Sequence, residues 1–135
     1  MATGLRIVLG RLVRRLREQG EGGELTRSQS SVLRLLERDG PATMTALARA
    51  EGIRPQSMSA IISVLQDAGL VAGAPDPGDG RKTVLSLTAA GQEKFTTGRL
   101  AREDWLFHAI ETTLTPAEQR QLAVGIDLLR RLANS

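Results

Sequence analysis

Apolar residues recur at helical intervals near the start of the chain, with arginines between them. The apolar positions are Leu5, Val8, Leu9, Leu12, Val13 and Leu16. Intervals of three and four residues place these side chains on one face of a helix. The glycine-rich run over residues 20–23 is predicted to end this amphipathic helix in a loop.

A capping box predicts the start of a second helix. Thr26 and Gln29 stand three residues apart, so each side chain can accept a hydrogen bond from the other residue's backbone N–H. The apolar face of this helix follows at Val32, Leu33, Leu35 and Leu36. The run Asp39-Gly40-Pro41 stops it.

Two further helices are predicted close together. The third runs from Thr43, its expected N-cap, to Gly52, with Leu47 and Ala48 facing inward. The fourth begins at Pro55, because the first position of a helix tolerates a residue without an N–H. Two short helices joined by a tight turn that contains glycine are typical of a helix-turn-helix.

The stretch from Ile53 to Thr88 organises the rest of the chain, because it combines the fourth helix with a hairpin. The buried face of that helix is predicted at Met58, Ile61, Ile62 and Leu65. Residues 70–72 and 83–87 are strand-like, and a turn is predicted at residues 76–80. We interpret the stretch as the recognition helix and wing of a winged helix-turn-helix.

Helical patterns return after Thr88. Two interior glycines, Gly91 and Gly98, weaken the prediction of one long helix. The length and four large apolar side chains support it: Phe95, Trp105, Leu106 and Ile110. Thr115 and Pro116 then start a last helix as cap and first residue. Its apolar face is Leu122, Ile126, Leu129, Leu132 and Ala133.

The predicted fold is therefore mainly α with a small β-hairpin wing. A winged helix-turn-helix DNA-binding domain is assigned to residues 25–88, between an N-terminal dimerisation helix and loop (1–24) and C-terminal dimerisation helices (89–135). The terminal helices have apolar surface that such a domain does not need. They could fold back on it, but we expect a homodimer, because two-fold dimers are the commonest oligomers and match paired DNA half-sites.

Composition narrows the classes of function. Every basic residue except Lys82 and Lys94 is arginine, whose guanidinium fits phosphates and guanine edges, although arginine-rich codon usage explains the bias equally well. The chain has no cysteine and a single histidine, so neither disulfides nor a metal site is expected. No phosphate loop or nucleophile–base pair indicates an enzyme, and no cofactor is expected. No apolar run reaches membrane-span length, so we expect no membrane partner and a cytoplasmic location.

The order of elements and several motifs resemble the MarR family of bacterial transcriptional regulators. The second helix matches the family signature at Leu25, Thr26, Gln29, Val32, Leu33 and Leu36. The helix-turn-helix matches at Thr43, Leu47, Ala48, Ser57, Leu65, Gly69, Leu70 and Val71. The wing matches at Asp76, Pro77, Asp79, Arg81, Leu87 and Thr88. The resemblance implies a homodimeric winged helix-turn-helix that binds a palindromic operator, often releasing it when a small ligand binds. We expect a repressor, with an activator as the open alternative.

Two positions depart from the family pattern. Gly80 replaces the first arginine of the wing pair, and Ala60 stands where many relatives have a basic residue on the recognition helix. We expect an unusual affinity or base preference as a result. The same departures support an alternative function, in which the winged helix is a protein-interaction module that does not bind DNA specifically.

The outward side chains of the recognition helix are the predicted DNA contacts. They are Arg54, Gln56, Ser57, Ser59, Ala60 and Ser63. Gln56 can pair bidentately with adenine, the first two serines can contact either base type, and Ala60 can contact a thymine methyl group. Arg54 and Ser63 are assigned to phosphates. The alternative is that these short side chains only fill a solvent-facing turn.

The predicted wing contacts are Arg81, which we expect to enter the minor groove, and Lys82 beside it. Asp79 is expected to orient Arg81, although a solvated pair of little energetic weight is the alternative. Trp105, Phe107 and His108 are candidates for a ligand pocket between the dimer helices and the DNA-binding domain. Packing is the commoner role of such side chains, and His108 is expected in the core or at an interface.

Overall fold

A computed structural model describes residues 1–20 and 25–135, so most of the predicted glycine-rich loop lies outside the described residues. The helices are α1 (Ala2–Gly20), α2 (Arg27–Asp39), α3 (Met44–Glu51), α4 (Pro55–Asp67), α5 (Ala89–Thr113) and α6 (Pro116–Ala133). The strands are β1 (Ala42–Thr43), β2 (Val71–Asp76) and β3 (Asp79–Leu87). They form one antiparallel sheet in the order β1-β3-β2. The predicted fold class is confirmed.

The predicted helix starts are present with their capping contacts. Thr26 N–H donates to Gln29 Oε1 at 3.1 Å, and Gln29 N–H donates to Thr26 Oγ1 at 3.2 Å. The side chain of Thr43 accepts from the N–H of Ala46 at the start of α3. These contacts satisfy backbone donors that have no partner within the helix, and each cap contributes about 1 kcal/mol.

The sheet differs from the prediction in two ways. β1 was missed, because it has only two residues, the second of which is the N-cap of α3, and two residues are too few to show a period of two. They pair with Leu85 and Val84 of β3. The turn predicted at residues 76–80 is also too long, since Asp76 pairs with Asp79 and the strands extend to meet there. The Asp76 carboxylate accepts from the N–H of Gly78 at 2.9 Å, which tightens the turn.

The hydrophobic core lies in the middle of the chain. Its buried side chains are Val32, Leu33, Leu35, Leu36, Leu47, Ala48, Met58, Ile62, Leu65, Leu70, Val71 and Leu85. Ile61, predicted in the same stripe, is only partly buried against this cluster. The core therefore joins α2, α3, α4 and the sheet into the unit from which the candidate interface projects.

The interior glycines of α5 mark close crossings and do not interrupt the helix. A Cβ at Gly91 would lie 2.0 Å from the carbonyl oxygen of Leu70. A Cβ at Gly98 would lie 3.0 Å from the carbonyl oxygen of Gly20 on α1. The long helix predicted despite these glycines is present, and the glycines are needed because the backbones of other segments occupy the space that a side chain would take.

The terminal helices have no buried residue. α1 packs along α5, whereas α6 makes at most marginal contact with any other described element. Large aliphatic side chains on α6 are exposed, with Val124 at 63%, Leu128 at 51% and Leu132 at 60%. None of the helices that the structure describes is both long and apolar enough to cross a membrane.

Candidate nucleic-acid interface

α4 is anchored along one side and exposed along the other. Met58 and Leu65 are completely buried, and Ile62 is 5% exposed. The opposite side carries the predicted base contacts, all of them exposed: Gln56, Ser57, Ser59, Ala60 and Ser63. Because the buried stripe fixes the rotation of the helix, it also fixes which side chains face outward.

The turn between α3 and α4 sets the direction in which α4 leaves the core. Gly52 adopts a left-handed conformation with φ of +68°. The N–H of Ile53 donates to the carbonyl oxygen of Ala48 at 3.0 Å, which is the long bond of a Schellman motif. Arg54 follows as the exposed N-cap residue of α4 and makes no side-chain capping bond. Its guanidinium therefore does not cap the helix.

At the tip of the wing, the Asp79 carboxylate contacts Arg81. Asp79 Oδ1 accepts from the backbone N–H of Arg81 at 3.1 Å and from Arg81 Nε at 3.3 Å. The Arg81 side chain is nevertheless 93% exposed. An ion pair so exposed contributes little to stability. Its geometric consequence is greater, because the backbone contact orders the turn from which the guanidinium projects into solvent; Lys82 beside it is also exposed.

The base of the wing is fastened to α4 and α5. Thr88 Oγ1 donates to the carbonyl oxygen of Gly69 at 2.6 Å, and the N–H of Thr88 donates to the carbonyl oxygen of Leu70 at 3.1 Å. The same Thr88 hydroxyl caps α5 by accepting from the N–H of Gly91 at 3.0 Å. The recognition helix, the wing and the long helix therefore meet at one hydrogen-bonded junction. Thr88 was predicted only as part of a motif, without this role.

One exposed residue of α4 was missed from the sequence. Val64 is 48% exposed, and the prediction assigned it to neither side of the helix. It lies one turn after Ala60, so the two form a short apolar strip beside the polar groups. Its spacing from Met58, Ile62 and Leu65 already excluded it from the buried stripe, and that was the available signal.

Two of the three aromatic candidates on α5 are exposed among the described residues. The Arg15 guanidinium lies over the Trp105 ring, 4.9 Å from its centroid, and so joins α1 to α5. Phe107 is 59% exposed. The His108 side chain is 67% exposed, with Nε2 at 3.4 Å from Asp104 Oδ1. A core position for His108 was therefore wrong; an interface position and a pocket completed by a second chain stay predictions.

A cavity of about 410 Å³ lies elsewhere, between α1, α2 and α5. None of Trp105, Phe107 and His108 lines it. Its wall contains Val13, Leu16, Leu25, Leu33 and Phe95 together with Arg17, Arg27, Arg34, Lys94 and Arg102. Of the described residues that line it, Glu51 is the acidic one. The described part of the chain contains no cluster of three or more residues arranged to hold a metal ion.

Comparison with known proteins identifies the type of protein to which this interface belongs. Residues 24–82 match a sequence model described as the MarR family. An HTH-type transcriptional regulator of Mycobacterium tuberculosis is 36% identical over 134 residues, which cover 99% of this chain and 93% of that protein. The chain belongs to the MarR family. It is a DNA-binding transcriptional regulator and not an enzyme.

Solved structures of MarR proteins have the same fold. A mutant of MarR from Escherichia coli superposes with a TM-score of 0.80 at 20% identity, over 98% of this chain and 96% of that one. A mutant of MepR from S. aureus, bound to an oligodeoxyribonucleotide, superposes with a TM-score of 0.75 at 19% identity, over 98% and 96%. The resemblance therefore extends over the terminal helices as well as over the winged helix-turn-helix.

Proposed function

We propose that this MarR-family protein is a sequence-specific repressor that binds a palindromic operator as a homodimer. The exposed side of α4 carries this proposal, because it presents an amide, three hydroxyls and two apolar side chains but no charge between Arg54 and Asp67. Such a surface discriminates among base edges and attracts phosphates only weakly. Gln56, Ser57, Ser59 and Ala60 contact bases, whereas Arg54 and Ser63 contact phosphates.

The wing supplies the charge that α4 lacks. Arg81 enters the minor groove, oriented by Asp79, and Lys82 lies against the phosphates. Support comes from the exposed guanidinium of Arg81 and its two contacts with the Asp79 carboxylate. A narrow minor groove attracts arginine through its strong negative potential, so this contact favours A·T-rich flanks.

A homodimer explains the unburied terminal helices. Val124, Leu128 and Leu132 recur every four residues along α6 and are more than half exposed. Burial of this stripe against the same stripe of a second copy removes the apolar surface from water and pairs the two recognition helices around a two-fold axis. The expected half-sites then lie about 10–10.5 base pairs apart, centre to centre.

The direction of regulation follows from the surfaces that remain. A repressor needs only to occupy promoter DNA, whereas an activator also needs a surface for the transcription machinery. The large exposed apolar side chains are concentrated on α1 and α6, where the proposed dimer uses them. We therefore favour repression, in the cytoplasm where the bacterial chromosome lies.

A small anion with an apolar body is the ligand class that the cavity favours. Its wall combines five aliphatic or aromatic side chains with five cations. The buried Ser30 hydroxyl in that wall has no hydrogen-bond partner among the described residues. We expect the binding of such a ligand to make the protein release its DNA. Benzoate and its uncharged analogue benzamide test the charge requirement: benzoate should weaken binding to the operator and benzamide should not.

Duplex affinity measured against salt concentration tests the DNA-binding proposal. A steep loss of affinity with added salt is expected from counterion release, and Arg81→Ala should reduce the slope by about one. Arg130→Ala on α6 is the matched control and should leave the slope unchanged. An affinity that is absent or indifferent to salt would overturn the proposal and favour the protein-interaction module.

A further inference from the structure

Three side chains connect α2 with the last residue of α3. Arg34 Nη2 donates to Ser31 Oγ at 3.0 Å, and Ser31 Oγ donates to Glu51 Oε1 at 2.5 Å. Ser31 is buried, with 7% of its surface exposed. The hydroxyl thus bridges a guanidinium and a carboxylate, and both of its hydrogen bonds involve a charged group. Bonds of this kind are stronger than those between neutral groups.

The bridge ties together two helices that otherwise hardly meet. α3 packs on α4, on β1 and on β3, but its contact with α2 is marginal. α2 in turn packs on α5, on β3 and on α4. The Ser31–Glu51 bond therefore adds a direct connection between α2 and the end of α3, next to the turn that leads into α4.

Glu51 lies where a small displacement would reach the DNA-binding surface. It is followed directly by Gly52, whose left-handed conformation forms the turn, and then by Ile53 and the N-cap residue Arg54. The side chain of Ile53 packs against the core. A shift at the end of α3 would consequently change the position of Arg54 and of the first turn of α4, which carries Gln56 and Ser57.

All three members of the bridge also line the cavity. Among the described residues of the wall, the Glu51 carboxylate is the acidic group beside Arg17, Arg27, Arg34, Lys94 and Arg102. An anion inside the cavity would present oxygen acceptors to the Ser31 hydroxyl, which now donates to Glu51, and to the Arg34 guanidinium, which now donates to Ser31. Competition for the Ser31 hydroxyl would weaken the bond between α2 and α3.

We propose that Glu51 is a positioning residue for the recognition helix, and that an anion in the cavity acts on DNA binding by displacing its carboxylate from Ser31. This inference rests on the proposed DNA-binding function and deepens it. Glu51 itself does not touch DNA; its carboxylate fixes the turn before α4 through the serine bridge.

Glu51→Asp is the decisive variant, because it keeps the charge and shortens the reach by one methylene group. We expect its affinity for the preferred duplex to fall about tenfold, with little change for a random duplex of equal length. A purely electrostatic role predicts no change for this variant. Glu37→Asp, the same change on the exposed side of α2, is the matched control and should have no effect on either duplex.

Ser31→Ala and the double variant test whether the two residues act together. Ser31→Ala should reproduce the loss, and the double variant should lose no more than either single variant. A thermal unfolding curve for each variant shows that the fold is retained. Additive losses, or an equal loss on the random duplex, would overturn the positioning role.

Benzoate tests the displacement step. It should weaken the operator affinity of the wild type by a larger factor than that of Glu51→Asp, since in the variant the bridge is already broken. Equal factors, or no effect of benzoate on the wild type, would overturn the displacement step. If the wild type prefers its duplex and loses affinity steeply with salt, but Glu51→Asp binds that duplex as tightly as the wild type, the inference is refuted and the proposed function is not. A wild type that binds no duplex would refute the proposed function, and the inference would fall with it.

Discussion

The middle of the chain and its two ends bury their apolar side chains in different ways. Residues 25–88 enclose a core in which Val32, Met58 and Leu65 are completely buried. α1 and α6 have no buried residue, although both carry apolar stripes. The middle therefore contains within one chain the contacts that determine its fold. The ends expose apolar surface that is removed from water only when another surface covers it.

α5 connects these two regions. Its first turns pack against the base of the wing, where Gly91 lies against the carbonyl oxygen of Leu70. Its middle packs along α1, where Gly98 lies against the carbonyl oxygen of Gly20. Under the proposed function, the middle contacts DNA, the ends set the distance between two copies, and α5 connects the two regions.

The largest expected effect comes from a charge placed in the apolar stripe of α6. Leu128→Glu should convert the proposed dimer into a monomer and reduce operator affinity by a factor of about 10²–10⁴, because the second half-site no longer binds through a linked partner. Sedimentation measures the oligomeric state, and duplex titration measures the operator affinity. Ala123→Glu adds the same charge on the polar side of α6 and should change neither. A dimer that survives Leu128→Glu would contradict the role of the ends.

Adjacent residues of α4 separate the core from the interface. Leu65→Ala should cost about 2–5 kcal/mol of unfolding free energy, because the residue is completely buried and its removal leaves a cavity. Val64→Ala, at 48% exposure, should leave the denaturation midpoint almost unchanged. Its effect is expected on base preference instead. Similar losses of stability in the two variants would show that the outward side of α4 has been assigned wrongly.

The crossing of α5 and the wing is sensitive to a single methyl group. Gly91→Ala should destabilise the protein by about 1–3 kcal/mol, since the new Cβ would lie 2.0 Å from the Leu70 carbonyl oxygen. Gly4→Ala places its Cβ in open space on α1 and should be neutral or slightly stabilising. Chemical denaturation compares the unfolding free energies of the two variants. A Gly91→Ala variant as stable as the wild type would contradict a rigid connection between the two regions.

The smallest expected effect concerns the start of α6. The pKa of Glu118 is lowered because its carboxylate accepts a hydrogen bond from the N–H of Thr115. A carboxyl with a lowered pKa stabilises the folded state above its unfolded pKa, and this contribution disappears as the pH falls below about 4. Glu118→Gln should therefore show a slightly smaller loss of stability on acidification than the wild type. Glu111→Gln on α5 is the control, and an unchanged pH profile in Glu118→Gln would contradict the expectation.

Local chemistry explains what could be predicted from the sequence. The caps at Thr26 and Thr43 and the buried stripe of α4 depend on residues a few positions apart, and they were predicted correctly. The role of Gly91 depends on a carbonyl oxygen from another segment, so no local pattern contains it. The same holds for the cavity, whose wall combines three helices, and for the exposed position of His108.

The exposure of the candidate DNA contacts was predictable because their side of α4 is the complement of its apolar stripe. Val64 shows the limit of that method, since only polar and small side chains were assigned to the outer side and this exposed apolar residue was left unassigned. The bridge between Ser31 and Glu51 spans 20 positions of sequence and joins residues of ordinary type. No pattern in the spacing of residues along the sequence indicated this bridge.

Selection of bound duplexes from a random pool tests the central claim most directly, because it reports the DNA-binding activity and the geometry of the assembly together. A two-fold symmetric sequence should be enriched, with half-sites about 10–10.5 base pairs apart and discrimination concentrated in the major-groove positions. Enrichment of a single half-site would contradict the role assigned to the terminal helices. No enrichment at all would contradict the proposal that α4 reads sequence.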